Sequence, residues 1–134
     1  MSIAANAYKN TEIATSVSSA NTNELILLVY DRVLENLRLG KKELENNHPG
    51  IEEFTVASEL INLGLLASLN DQKGGEIAQN LRNIYLWAMH SIIDARLTKS
   101  CEKVEEIINV LNNLRQAWEF IKSPMAVEVQ TQKN

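Results

Sequence analysis

Four stretches of this chain repeat apolar residues every three or four positions, and each is set off from the next by residues that favour turns, caps or breaks. That alternation leaves little room for anything but packed helices. The first stretch opens at Asn21, whose side chain suits an N-cap with Glu24 three residues on completing a capping box, and it runs to about Asn46. His48-Pro49-Gly50 then breaks the chain, because proline disfavours helical geometry before it and glycine permits a left-handed turn after it. A second helix is predicted from Ile51 to about Leu69. Asn70-Asp71-Gln72-Lys73-Gly74-Gly75 reads as turn chemistry, and a third helix is predicted from about Glu76 to Leu97. After Thr98-Lys99, Ser100 is placed to cap a fourth helix, Cys101 to Ile121, which stops before Ser123-Pro124.

Helices joined by links of roughly 2 to 8 residues normally pack as antiparallel neighbours. The expectation is an all-α, antiparallel up-down-up-down four-helix bundle over residues 21–121, with a flexible N-terminal arm over 1–20 and a tail over 122–134. The arm carries only isolated apolar anchors, Tyr8, Ile13 and Val17, and the Val127-Glu128-Val129 alternation of the tail is too short to stand as a strand. A length of 134 residues fits one core. With 5% aromatics, five Gly and two Pro, the composition favours helices over a sandwich or barrel.

Charge and cysteine usage narrow the function. Thirteen Lys and Arg against seventeen Asp and Glu give a net charge of −4, which argues against nucleic acid as a partner. Cys101 is the only cysteine, so no intramolecular disulfide forms, in keeping with a reducing compartment; the cytosol is the expected location. Met1 to Asn10 lacks the basic start and apolar stretch of a secretory signal, and no apolar run approaches the roughly 18 residues of a membrane span, so no direct membrane insertion is expected.

The apolar surface exceeds what one small core needs. The fourth helix has a single stripe, Val104, Ile107, Ile108, Leu111, Leu114, Trp118 and Ile121, with Glu102, Glu105, Asn109, Asn112, Asn113 and Gln116 opposite. The third has a predicted core stripe of Ile77, Leu81, Ile84, Ala88, Ile92 and Ala95, and a second on the other side: Leu86, Met89, Ile93 and Leu97. On the first helix Leu25, Ile26, Val29, Val33 and Leu37 are predicted to face inward while Leu27 and Leu28 flank the polar side. On the second the apolar arc runs from Phe54, Ile61 and Leu65 round to Val56, Leu60 and Leu63, and Leu66 falls among polar neighbours. Any one such residue is more often core than site. A stripe of four weighs evenly between deeper burial and a partner surface.

Catalytic and metal chemistry is not legible. A di-iron bundle needs its Glu-x-x-His pair twice; Glu45 precedes His48 at that spacing, but Trp87 stands where His90 would need an acid. His48 is expected in a loop, and His90 lies beside the surplus stripe. Cys101 has no activating neighbour in sequence, and Gly74-Gly75 lacks the Lys-Ser/Thr of a phosphate loop. No enzyme, metal or cofactor is expected.

Several segments, in their order and spacing, match a known family: Ala7-Tyr8, then Glu24-Leu25-Ile26-Leu27-Leu28-Val29-Tyr30-Asp31, then Gly74-Gly75-Glu76-Ile77-Ala78-Gln79-Asn80-Leu81 with Ile84-Tyr85 and Ala95, and finally Leu114-Arg115-Gln116-Ala117-Trp118. Over roughly residues 7–121 the chain resembles the flagellar export chaperones of the FliS family. It departs at Asn21-Thr22-Asn23, where the family usually has Ser-Pro-Glu, at Arg96 in place of Asn, and at His90-Ser91 in place of a basic pair.

The resemblance implies a cytosolic bundle that holds the disordered C-terminal segment of flagellin, prevents its premature polymerisation and delivers it to the flagellar type III export apparatus. On that reading Leu27, Leu28, Leu66, Leu86, Met89, Ile93 and Leu97 form the flagellin groove. Tyr8 and Ile13 in the arm contact the cytosolic part of an export-gate membrane protein. A weak homodimer is compatible with this. The alternative is a helical homo-oligomer, a structural or interaction protein without a client, whose second stripe joins copies of itself.

Overall fold

The periodic segments form four helices in a computed structural model that describes residues 22–121. Helix α1 spans Thr22–Glu45, α2 spans Ile51–Leu60 and passes directly into a π-helical segment Ile61–Leu66, α3 spans Asp71–Thr98 and α4 spans Cys101–Ile121. There is no strand among the described residues. The arm, the tail and the Asn21 cap lie outside them.

The ends follow from local chemistry. α1 closes at Asn47, which takes a left-handed conformation with φ 64°, and the His48 amide returns to the Glu43 carbonyl at 2.7 Å. Asparagine tolerates that geometry better than most residues, and the bond satisfies a carbonyl the last turn leaves free. Gly50, with φ 63°, then opens α2. At the other sharp link Lys99 is left-handed, the Ser100 amide bonds the Ala95 carbonyl at 2.9 Å, and the Ser100 hydroxyl accepts from the Lys103 amide at 3.1 Å. The predicted α4 cap and the start of α4 at Cys101 are as found.

The start of α3 differs from expectation. Asn70 accepts from the Lys73 amide and caps a helical turn where a loop was predicted; Gly75, at φ 54° and ψ −129°, breaks that turn from the rest of the helix. Only glycine occupies that region without strain. The predicted start at Glu76 therefore marks the second part of α3, and the six polar and glycine residues before it hold more order than turn composition suggests.

Helix α1 is the centre of the molecule, packing chiefly against α2 and α4, while α3 packs against α4 and the π segment. Three glycines allow close approach. A Cβ on Gly40 would sit 2.6 Å from the ring of Phe54, one on Gly50 would sit 3.0 Å from the same ring, and one on Gly64 would sit 2.9 Å from Val29. Phe54 is accordingly fully buried between α1 and the α1–α2 link. Along α1 and α4, Asp31 meets Arg115 and Lys41 meets Glu105, so contacts descend one helix as they ascend the other.

Two tyrosines occupy the middle of the core. Tyr30 of α1 and Tyr85 of α3 are both buried, their hydroxyls 2.7 Å apart and sharing one hydrogen bond. A buried hydroxyl without a partner is costly, and here one tyrosine hydroxyl donates while the other accepts. The inner row of α3 is thus Ala78, Tyr85, Ala88, Ile92 and Ala95. Leu81 and Ile84 are half-buried, and Ile77, predicted to lie in the core, is 67% exposed. Ile77 borders an open pocket that Ile26 of α1 and Trp118 of α4 also line.

Candidate partner-binding surface

The second stripe predicted on α3 is largely at the surface. Leu86 is 42%, Ile93 52% and Leu97 79% exposed, a row at helical spacing on a 28-residue helix whose opposite side already fills the core. Met89, within the same row, is half-buried and packs on the core. His90 beside it is exposed. Of the other positions, Leu28 is 38% exposed on α1, and Leu66 is half-buried against the core in the π segment that packs on α3.

Leu27 is a correction. It is buried, at 8% exposure, because α1 has neighbours on two sides and so buries two adjacent rows; Asn23, Leu27, Tyr30 and Leu34 follow each other at helical spacing and all are inside. Leu27 offers no open surface for a partner. Tyr8 and Ile13 lie outside the described residues. The seven groove positions therefore do not form one continuous stripe: three are open on α3, one on α1, two are half-buried, and one is interior.

Further apolar surface is open that the sequence pattern did not mark as partner surface. Trp87, 36% exposed, joins Asn83, Ile84 and Val110 around a shallow depression of about 280 Å³ between α3 and α4. Its signal in the sequence is the Ile84–Trp87 spacing of three residues on α3. Leu63 is 50% exposed. A separate apolar pocket of about 230 Å³ opens between the start of α1, the end of the π segment and the start of α3, with Leu81, Tyr85 and Trp118 among its walls.

Charged groups around these surfaces are paired along the helix edges. Arg115 is held above its ordinary pKa chiefly by its hydrogen bond to Asp31, Lys41 by its bond to Glu105, and Lys103 by its bond to Asp94. Burial pushes both Tyr30 and Tyr85 upward, so they stay protonated hydroxyls. Cys101 is half-buried, its Sγ 3.8 Å from the Lys41 carbonyl oxygen. Among the described residues no group of His, Cys, Asp and Glu is placed to hold a metal ion, and no helix is long and apolar enough to cross a membrane.

The fold and surface together define an all-helical protein with a packed core and an apolar outer row on α3. Residues 4–124 match the family described as "Flagellar protein FliS", and the chain belongs to that family. The flagellar secretion chaperone FliS of Salmonella typhimurium is 32% identical over 122 residues, covering 90% of each chain. That of Escherichia coli K12 is 29% identical over 125 residues, covering 91% of this chain and 92% of its own. FliSB of Pseudomonas aeruginosa, also a flagellar secretion chaperone, is 25% identical over 115 residues, 85% of this chain and 91% of its own. The family is one of chaperones, not enzymes, and its role implies a flagellar client.

Proposed function

We propose that this protein is a cytosolic export chaperone for flagellin, binding the disordered C-terminal segment of that subunit, preventing its premature polymerisation and delivering it to the flagellar type III export apparatus. The observation that carries this reading is the open row Leu86, Ile93 and Leu97 on a helix that has no need of it for folding. A disordered client opposes its own binding by roughly 2 to 5 kcal/mol of ordering, whereas covering a fully exposed leucine or isoleucine contributes about 1.5 to 3 kcal/mol. Because these three side chains are already partly covered, they do little more than offset the ordering. The client must therefore extend over Leu28, Leu63 and Trp87 as well, which is why a segment wrapped round the bundle suits this surface better than a single docked helix.

Tyr8 and Ile13 of the arm make the contact with the cytosolic part of the export gate in this proposal. Co-expression with the flagellin of the same organism tests it. Pull-down should retain full-length flagellin and lose a form truncated at its C-terminal segment; equal retention of both, or of neither, overturns the reading. Size-exclusion at low concentration separates the homo-oligomer alternative, since a client chaperone runs as a monomer or weak dimer and an obligate assembly does not dissociate.

A further inference from the structure

The pocket that holds Leu81, Tyr85 and Trp118 on its far side has one wall unlike the others. Ile26, Leu69, Ala78 and the far-side residues are anchored in helices or packed on the core, whereas Asn70, Lys73 and Gly74 form a wall with no buried side chain. The hydrogen bonds of that turn are internal: Asn70 Oδ1 accepts from the Lys73 amide at 3.0 Å, and the Gly74 amide donates to the Asn70 carbonyl at 2.7 Å. Two contacts tie it across to the body of α3: Gly74 lies close against Ala78, where a Cβ would sit 2.6 Å from the alanine methyl, and Arg82 Nη2 donates to both carboxylate oxygens of Asp71 at 2.7 and 2.8 Å. Both partners are partly exposed, so the pair is weak in water and is screened by salt.

The joint lies between the two ends of that pair. Gly75 has the φ 54°, ψ −129° geometry that only glycine adopts freely, and a Cβ placed on it would meet no atom within 4 Å. Among the described residues the space around the joint is open, the segment itself has no buried side chain between Leu69, which packs on the core, and Gly75, and one exposed ion pair closes it. We propose that residues 70–74 are a flap that moves between two fixed ends, Leu69 on the core and the Gly75 joint, latched by Asp71–Arg82, and that it governs entry of an apolar side chain into the pocket beside Trp118. The identity of that side chain as a client's rests on the function proposed above; the flap does not.

Trp118 reports on the pocket directly, and Trp87→Phe leaves it as the sole tryptophan. In that background Arg82→Gln should raise the acrylamide quenching constant of Trp118 by about 2- to 5-fold at low salt, the population change expected on losing an exposed pair. About 1 M sodium chloride, where the screening length falls to about 3 Å, should raise the parent constant likewise and leave the Arg82→Gln constant unmoved. Equal quenching in parent and variant, or an equal salt response, overturns the flap. Asp71→Asn breaks the same latch from its other end and must reproduce the result; circular dichroism melting identifies a variant that has lost its fold. Flagellin association, measured in chains that keep Trp87, should quicken in the same proportion. If quenching changes while neither protein binds flagellin, the flap stands and the client reading falls.

Discussion

Alkaline titration probes the buried tyrosine pair. Burial raises both Tyr30 and Tyr85 above the ordinary value of 10.0, so the folded protein keeps two protons that the unfolded chain gives up as pH passes that value. A group raised in the folded state contributes stability that is intact below the unfolded pKa and lost as pH rises through the window up to the folded one. A tyrosine that stays protonated throughout removes about 1.4 kcal/mol by roughly pH 11 and a similar amount with each further pH unit for as long as it keeps its proton. Against a typical total of about 5 to 15 kcal/mol that loss is easily measured. Lys41 and Lys103 are also raised, by their partners Glu105 and Asp94, and lose stabilisation in the same direction at higher pH. The informative comparison is therefore the wild type against Tyr30→Phe/Tyr85→Phe, followed by urea melts at successive pH values. The double variant leaves no orphaned hydroxyl but takes away the acceptors of the Trp118 indole N–H, which hydrogen-bonds both tyrosines, so at neutral pH it should cost about 1 to 3 kcal/mol. Its stability should fall less steeply above pH 10, and the difference between the two slopes is the tyrosine contribution. Parallel slopes would mean that the hydroxyls ionise in place and that the core around them is not sealed.

Ile93→Glu should leave stability within about 0.5 kcal/mol and abolish flagellin binding, because a charge at a half-exposed position stays hydrated until a partner covers it; Leu111→Glu, fully buried on α4, should unfold the bundle, as read by circular dichroism. Ser100→Ala should cost about 1 kcal/mol in a urea melt by removing the hydroxyl that caps α4. Deleting residues 2–18 should raise binding of an apolar dye, leave flagellin affinity unchanged or slightly higher and impair export; lower affinity with the bundle still folded would make the arm part of the binding site.

Helix existence was legible because caps and breakers announce themselves locally. Ser100 and the Asn47 to Gly50 link bound their helices where the residue chemistry says they should. Relations between distant residues were not. That Tyr30 and Tyr85 are interior follows from two hydroxyls meeting across 55 positions of sequence, and a polar-tipped aromatic on a helix carries no mark of that. Leu27 was misplaced because a helical wheel assumes one buried face, whereas α1 has neighbours on two sides. Ile77 was misplaced for the opposite reason, as its position in the periodic row borders an open pocket instead of a packed neighbour. The row Leu86, Ile93 and Leu97 was legible, since a second apolar row conflicts with an ordinary bundle helix whatever lies opposite. How those residues stand to Leu28, Leu66 and Trp87 needed the fold.

The π-helical turn at Ile61–Leu66 bears on chain length. Its wide ring is visible where the Ala67 amide reaches back five residues to the Asn62 carbonyl at 3.2 Å, one residue more than an α-helical turn encloses. A wide turn of this kind stores one surplus residue without rotating the helix beyond it. Removing the exposed Asn62 should accordingly let the stretch close with ordinary α geometry while Leu65 keeps its seat in the core. The same deletion in the middle of α4, where every turn is already of standard width, would swing all later side chains by about 100° and bring Trp118 out of register. Length variation along this chain is therefore tolerated unevenly, with a place for a one-residue gap at the end of α2 and none in the centre of α4.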